Sequence, residues 1–254
     1  MLRYFSIGGY PSIPSYNLFV GIGMALGMLY LQYVKKFACQ NDQRKSDIHL
    51  GIFISMVFGF IGAFAFDAYT QDIPLRLHNL NQIGLTLLGG FFTGLVTFVT
   101  FLKVKSIPIL NTLNLVTPSF CISHIFGRIG CFFAGCCYGS KTDFILGVQF
   151  PEGSIAHYHF KDIVHVHPTQ LYESFFVFLL FLVTRKSTIK NKFILYILSY
   201  SIFRFCIEFI RADDRGVLFN QSLITPSQFI SLMALVTALV ALYIKKCKTI
   251  SIYR

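Results

Sequence analysis

The 254-residue chain has no tryptophan and few charges: Asp, Glu, Lys and Arg together make up only 13% of it. A soluble domain of this length needs far more charge to cover its surface, so a water-soluble globule is excluded. Acidic residues are the scarcer sign, 11 against 22 Lys and Arg, for a net charge of +11. That balance invites a nucleic-acid reading. The basic residues, however, sit in short clusters between apolar runs, which is a pattern of membrane topology and not of a DNA footprint. A cleavable leader is also lacking. The opening "MLRYFSIGGYPSIPSYN" has no basic start leading into an apolar core and a small-residue cleavage site, so the first apolar run is expected to stay in the mature protein. Neither an internal repeat nor a low-complexity linker is visible.

What is there is apolar bulk. Hydrophobic residues are 54% of the chain, 29 of them phenylalanine, and the mean hydropathy is +0.62. Roughly 20 mainly apolar residues cross a bilayer as a helix. Seven such runs predict an all-α polytopic membrane protein: Tyr16–Val34, Leu50–Tyr69, Ile83–Leu102, Thr112–Tyr138, Leu171–Thr184, Phe193–Ile210 and Pro226–Ile244. Pro168 suits a first helical turn, so the short fifth run is expected to start in the interface. Residues 1–254 read as one membrane domain. Residues 139–168 read as a small external cap holding "GVQFPEGSIAHYHF", a short strand and turn.

The loops and tails on one side carry Lys35, Lys36, Arg44, Lys45, Lys103, Lys105, Arg185, Lys186, Lys190, Lys192, Lys245, Lys246, Lys248 and Arg254. The other side carries Arg3, Arg76, Lys141, Lys161, Arg211 and Arg215. Positive residues concentrate on the cytoplasmic side, so the N-terminus is expected outside and the C-terminus in the cytoplasm. A six-span alternative, with the fourth run re-entrant, would put the later basic loops outside.

Ionisable groups within such runs are costly and point to function. Three clusters carry them. "HIFGRIGCFFAGCCYGS" places Arg128 and Cys131 one helical turn apart, with Cys136 and Cys137 close by. Arg128 is a permanent, bidentate cation suited to phosphate or carboxylate; the alternative is a structural ion pair with a helix carboxylate. "YSIFRFCIEFIRADD" spaces Tyr200, Arg204 and Glu208 as one polar stripe, with Arg211 continuing it outward. Arg204 and Glu208 either neutralise each other or position Arg204 for an anion. "HVHPTQLYES" puts His167, Gln170, Tyr172 and Glu173 about a helix start. Neighbouring His157, His159 and His165 alternate as metal ligands do, but no Cys or carboxylate pattern completes a set around them. No metal and no cofactor are expected. Two arginines on different helices point to a phospholipid headgroup, its tails entering sideways from the bilayer.

These clusters, in this order, resemble the bacterial prolipoprotein diacylglyceryl transferases, in a Cys-Cys-Tyr-Gly branch. "FGRIGCFFAGCCYG" is similar to the family's Arg-x-Gly-Asn run with its closing Gly. "HPTQLYES" and "YSIFRFCIEFIRADD" match two further family motifs, and "IPSYNLFVGIGMALG" looks like the family's first helix, with Tyr16 in place. The resemblance implies a multi-pass enzyme of the bacterial cytoplasmic (inner) membrane. It would move a diacylglyceryl group from phosphatidylglycerol to a prolipoprotein's lipobox cysteine, releasing glycerol-1-phosphate. It also implies that Arg128 and Arg204 hold the phosphate, that Tyr200 and Glu208 orient Arg204, and that Gly139 closes the signature. His167, Gln170, Tyr172 and Glu173 would shape the outer wall. The chain departs from the pattern at Leu88, where the family carries a histidine before Gly-Gly, and at Cys131, Ala134 and Cys136, where it carries amides and a carboxylate. Those departures keep two alternatives open. One is a relative with a different acceptor or a thiol-based chemistry using Cys136 and Cys137, for which an adjacent cation favours the nucleophilic thiolate. The other is a protein that binds or transports anionic phospholipid without turnover. Buried cysteines also serve as small apolar filler.

Overall fold

The structure is a computed structural model and describes residues 4–5, 13–34, 37, 40–70, 87–152, 154–161, 164–186, 188–213 and 224–252. Among these, seven helices of at least 16 residues fall on the seven apolar runs. They are α1 (Ser15–Tyr33), α2 (Asp42–Thr70), α3 (Leu87–Val104), α4 (Ile109–Ala134), α6 (Thr169–Thr184), α7 (Lys192–Ile207) and α8 (Pro226–Ile252). Short strands β1 (Tyr4–Phe5) and β2 (Ile13–Pro14) pair antiparallel ahead of α1. Asp42–Phe66, Ile109–Ala134 and Pro226–Ile244 are long and apolar enough to cross a membrane; Gly89–Val104 and Thr169–Thr184 are apolar but shorter. Arg3, Arg76, Arg215, Lys35, Lys36, Arg254 and the start of the third run, residues 83–86, lie outside the described residues, as do the side chains of Leu88, Lys245, Lys246 and Lys248.

The helix ends depart from the apolar runs for local reasons. α2 starts eight residues before Leu50, because Asn41 Oδ1 accepts the Arg44 N–H at 2.8 Å and caps a polar first turn. The fourth run was expected to continue to Tyr138. Instead α4 stops at Ala134, where Gly135 takes a left-handed φ of 71°. α7 ends at Ile207 because the chain turns out to pair with the segment after α4: Ser140 N–H donates to the Ile210 carbonyl at 2.8 Å, and Ala212 N–H to that of Tyr138 at 3.2 Å.

Two compact units make up the chain, Val34–Leu113 and the combination of Met1–Tyr33 with Asn114–Arg254. In the first, α2 and α3 meet through small residues. A Cβ on Gly89 would stand 2.6 Å from the Gly62 carbonyl oxygen, so the backbones touch where lipid-embedded helices gain most from close approach. Asp47 pairs with Lys105 at 3.0 Å at one end.

In the second unit α4 is central. α1 lies against it through Gly23 and Gly27, and Ser123 Oγ donates to the Gly23 carbonyl at 3.0 Å. On another side Cys121, Val177, Leu180 and Tyr196 join α4 to α6 and α7, beside a stack of Phe176 on Phe203 with centroids 4.1 Å apart. The cap pairs β3 (Val148–Gln149) with β4 (His165–Val166) and adds α5 (Ile155–Phe160) over Tyr138, Phe150, Ala156 and Val166. The distribution of polarity is inverted. Phe53, Val96 and Phe175 are more than 60% exposed, while Gln170 and Glu173 are fully buried. An apolar exterior around a polar interior is what a hydrocarbon solvent selects.

Candidate active site

Glu173 is the centre. α6 begins after Pro168, so Gln170 and Glu173 fall three residues apart on the inward face of its first turns. The Glu173 carboxylate would be prohibitively costly in an apolar interior without charge partners. Arg128 Nη2, from the last two turns of α4, lies 2.8 Å from Glu173 Oε1. Tyr200 of α7 donates its hydroxyl to the same oxygen at 2.5 Å. His124, one turn before Arg128, brings Nε2 to 3.6 Å, and its Nδ1 meets the Tyr196 hydroxyl at 2.8 Å. Arg211 Nη1 stands 4.0 Å from Glu173 Oε2. Among the described residues neither of these last two atoms makes a hydrogen bond, although both are buried.

Arg204 holds the neighbouring position. Its Nη1 lies 2.6 Å from Glu208 Oε2 and its Nη2 donates to Ser227 Oγ at 3.1 Å. Thr225 Oγ1 fixes the other Glu208 oxygen at 3.0 Å. The expected pairing of Tyr200 with Arg204 is corrected, since the tyrosine hydroxyl is spent on Glu173 across the helix boundary. Arg204 nevertheless stands within electrostatic reach of both Tyr200 and Glu173, as Arg128 does. Each of the two arginines thus has its own carboxylate, Glu173 for Arg128 and Glu208 for Arg204.

Arg211 was expected to run toward the outer surface. Its guanidinium is 2% exposed and grips Asp213 through Nε and Nη2, both at 2.9 Å. Gly139 explains how it gets there. It bridges to Arg211 and donates its N–H to the His167 carbonyl at 2.9 Å. A Cβ at Gly139 would meet His167 Cβ at 2.7 Å, so only glycine lets three segments meet. Burial pushes the Asp213 carboxyl up to about 6, against the opposing pull of Arg211.

The outer-wall expectation splits. His167 and Tyr172 are half-buried and bond each other at 3.2 Å, whereas Gln170 and Glu173 turn inward. Gln170 Nε2 donates to the Cys136 carbonyl at 2.5 Å, while its Oε1 is buried without a hydrogen bond among the described residues. Tyr16 backs α4, its Cα 3.4 Å from where a Gly130 Cβ would sit. His165 contacts Gln149 at 3.4 Å, and His159 packs on Tyr138 and Phe160. Cys131, Cys136 and Cys137 gather beside Arg128, and none of the described cysteines forms a disulfide. Sequence reasoning missed His124, Asp213, Thr225 and Ser227 as site residues. For His124 the signal was available in its i, i+4 spacing to Arg128; for Thr225 and Ser227, brought in by another helix start, there was none.

Fold and site together define a polytopic helical membrane protein with a buried, cation-rich polar centre. Its sequence assigns it further: residues 3–244 match the profile of the family described as prolipoprotein diacylglyceryl transferase, and the chain belongs to that family. It is 39% identical over 170 residues, 65% of each chain, to the phosphatidylglycerol–prolipoprotein diacylglyceryl transferase of Clostridium tetani. The second enzyme of that name from Clostridium perfringens is 30% identical over 247 residues, 93% of this chain and 92% of its own. The Staphylococcus haemolyticus enzyme is 31% identical over 259 residues, 96% and 88% of the two chains.

Proposed function

We propose that the chain transfers the diacylglyceryl group of phosphatidylglycerol to the lipobox cysteine of a prolipoprotein. We place it in the bacterial cytoplasmic membrane, crossing seven times with its N-terminus outside. The observation that carries the reading is the gathering of Arg128, Arg204, Arg211 and His124 about Glu173, with Arg211 Nη1 buried and not yet hydrogen-bonded among the described residues. Such a donor suits a phosphate oxygen.

The reaction follows from that electrostatics. The sulfur of the substrate thiol attacks the carbon of the diacylated glycerol that is esterified to the phosphate, and the thiol proton passes to water or to the released phosphate. A C–S bond forms as the C–O bond breaks, and the electron pair leaves on glycerol-1-phosphate. Negative charge therefore accumulates on the phosphate side. Arg128, Arg204 and Arg211 are positioned to stabilise it, each preorganised donor of this kind being worth about 10²–10³ in rate. Glu173, Glu208 and Asp213 hold the guanidiniums in place and keep the centre from repelling itself. Gln170 Oε1 suits a glycerol hydroxyl.

An apolar cavity of about 660 Å³ lies alongside, lined by Leu146, Leu171, Tyr172, Phe175, Leu179 and Phe203. It suits an acyl chain entering from lipid. The test is expression in cells depleted of their own transferase. Lipoproteins should gain the diacylglyceryl thioether, and purified protein should release one glycerol phosphate per thioether formed. Bound phosphatidylglycerol with no glycerol phosphate released by a well-folded chain overturns the enzyme reading in favour of a lipid-binding protein.

A further inference from the structure

The thiols beside Arg128 form a site that the transfer reaction does not use. α4 ends in a tight return: Gly135 N–H donates to the Phe132 carbonyl at 3.1 Å and Cys136 N–H to that of Cys131 at 3.2 Å. Gly135 and Cys137 take φ of 71° and 64°. The turn folds the next two cysteines back over Cys131, and all three Sγ atoms lie within 4.8 Å of one another. Glycine accepts a left-handed φ freely, but a side-chain-bearing residue there costs about 1–2 kcal/mol. Simple filler gives no reason to carry a Cβ at position 137.

The backbone of the turn is also held. Thr169 Oγ1 donates to the Cys137 carbonyl at 2.6 Å and Gln170 Nε2 to that of Cys136 at 2.5 Å, and both donor residues are fully buried. Cys131 is buried, while Cys136 and Cys137 are partly exposed, which leaves an entry. Metal–sulfur bonds of about 2.3 Å put ligand sulfurs about 3.8 Å apart in a tetrahedral site, so closure needs shifts of about 1 Å or less. No carboxylate or imidazole belongs to the group. A donor set of thiols alone selects soft cations over magnesium, calcium or manganese.

We propose that Cys131, Cys136 and Cys137 bind one thiolate-preferring cation, of the copper(I) or zinc(II) class, with release of up to three thiol protons. The bound ion ties the end of α4 to the turn that Thr169 and Gln170 hold from α6. The proposal is independent of the transfer reaction and is tested without it. Purified full-length protein in detergent, reduced with a phosphine, is titrated with zinc(II), copper(I) and, as a spectroscopic probe, cadmium(II).

One equivalent should bind, cadmium should give a near-ultraviolet sulfur charge-transfer band, and Cys131→Ala, Cys136→Ala and Cys137→Ser should each weaken binding by more than about tenfold. Cys206→Ala, at an exposed cysteine elsewhere, should change nothing. Because a variant risks misfolding, the wild-type chain gives a second readout: metal should protect these three thiols from alkylation, mapped by peptide mass, and leave Cys206 reactive. Binding that survives in the triple variant overturns the proposal, as does equal alkylation with and without metal, or a disulfide within the cluster that persists after reduction.

Discussion

Neutralising Glu173 isolates what the central carboxylate does. Glu173→Gln keeps the shape and an acceptor for Tyr200, but removes the charge that Arg128 meets at 2.8 Å, His124 at 3.6 Å and Arg211 at 4.0 Å. At 2.8 Å the pair attraction is about 6 kcal/mol with an effective dielectric of 20, and desolvating both ions offsets much of it. Removing one partner of a buried pair costs about 3–5 kcal/mol, because the other charge is left uncompensated. Arg128→Met should cost a similar amount. The double variant removes both charges and should cost about as much as one single change, so the coupling energy is about 3–5 kcal/mol. For a chain of this size each kcal/mol moves Tm by about 2–4 °C, so each single variant should melt about 6–20 °C lower. With no tryptophan in the sequence, the melt is followed by near-ultraviolet dichroism of the tyrosines in purified, detergent-solubilised protein. If the two changes add to within about 0.5 kcal/mol, or Glu173→Gln is silent, the pair is not a unit and the charge-centred account of the site fails.

Arg204→Lys should lower the transfer rate by about 10²–10³ with little loss of folded protein, because an ammonium cannot span Glu208 and Ser227 as the guanidinium does; released glycerol phosphate reads it. Gly139→Ala should destabilise by about 1–3 kcal/mol, since its Cβ would press on His167 and Thr169 at 2.7–2.9 Å, and it should impair activity by shifting the segment after α7 that carries Arg211. Asp213 sets a pH effect. Its folded value of about 6 lies above the ordinary carboxylate value, so its favourable contribution is complete below about pH 4 and lost as pH rises through 6. The Tm difference between wild type and Asp213→Asn should therefore shift against wild type between those two pH values; a difference independent of pH would refute the assignment.

The helices were readable because a hydrocarbon solvent leaves a coarse signal. A run of about 20 apolar residues is required whatever the partners are, and α1, α4, α6, α7 and α8 all fall on such runs. Their ends were less readable, because polar turns such as the one capped by Asn41 extend a helix beyond its apolar part. The arginines were readable for the same energetic reason: nothing but function or a carboxylate justifies Arg128 and Arg204 in such runs.

Which carboxylate each arginine meets was not readable. Spacing along one helix fixes the Arg204–Glu208 pair, four residues apart, but it cannot say that Arg128 faces a glutamate 45 positions later. The phase of α6 decides that. Starting after Pro168, it turns Gln170 and Glu173 into the protein and leaves Tyr172, bonded to His167, lining the cavity, dividing one contiguous motif between two tasks. The cysteines show the same limit. Gly135 advertises the end of α4, but the left-handed turn at Cys137 does not appear in a residue type that rarely adopts it. It takes that second turn to fold three thiols that are near one another in the sequence into one cluster, their sulfurs within 4.8 Å.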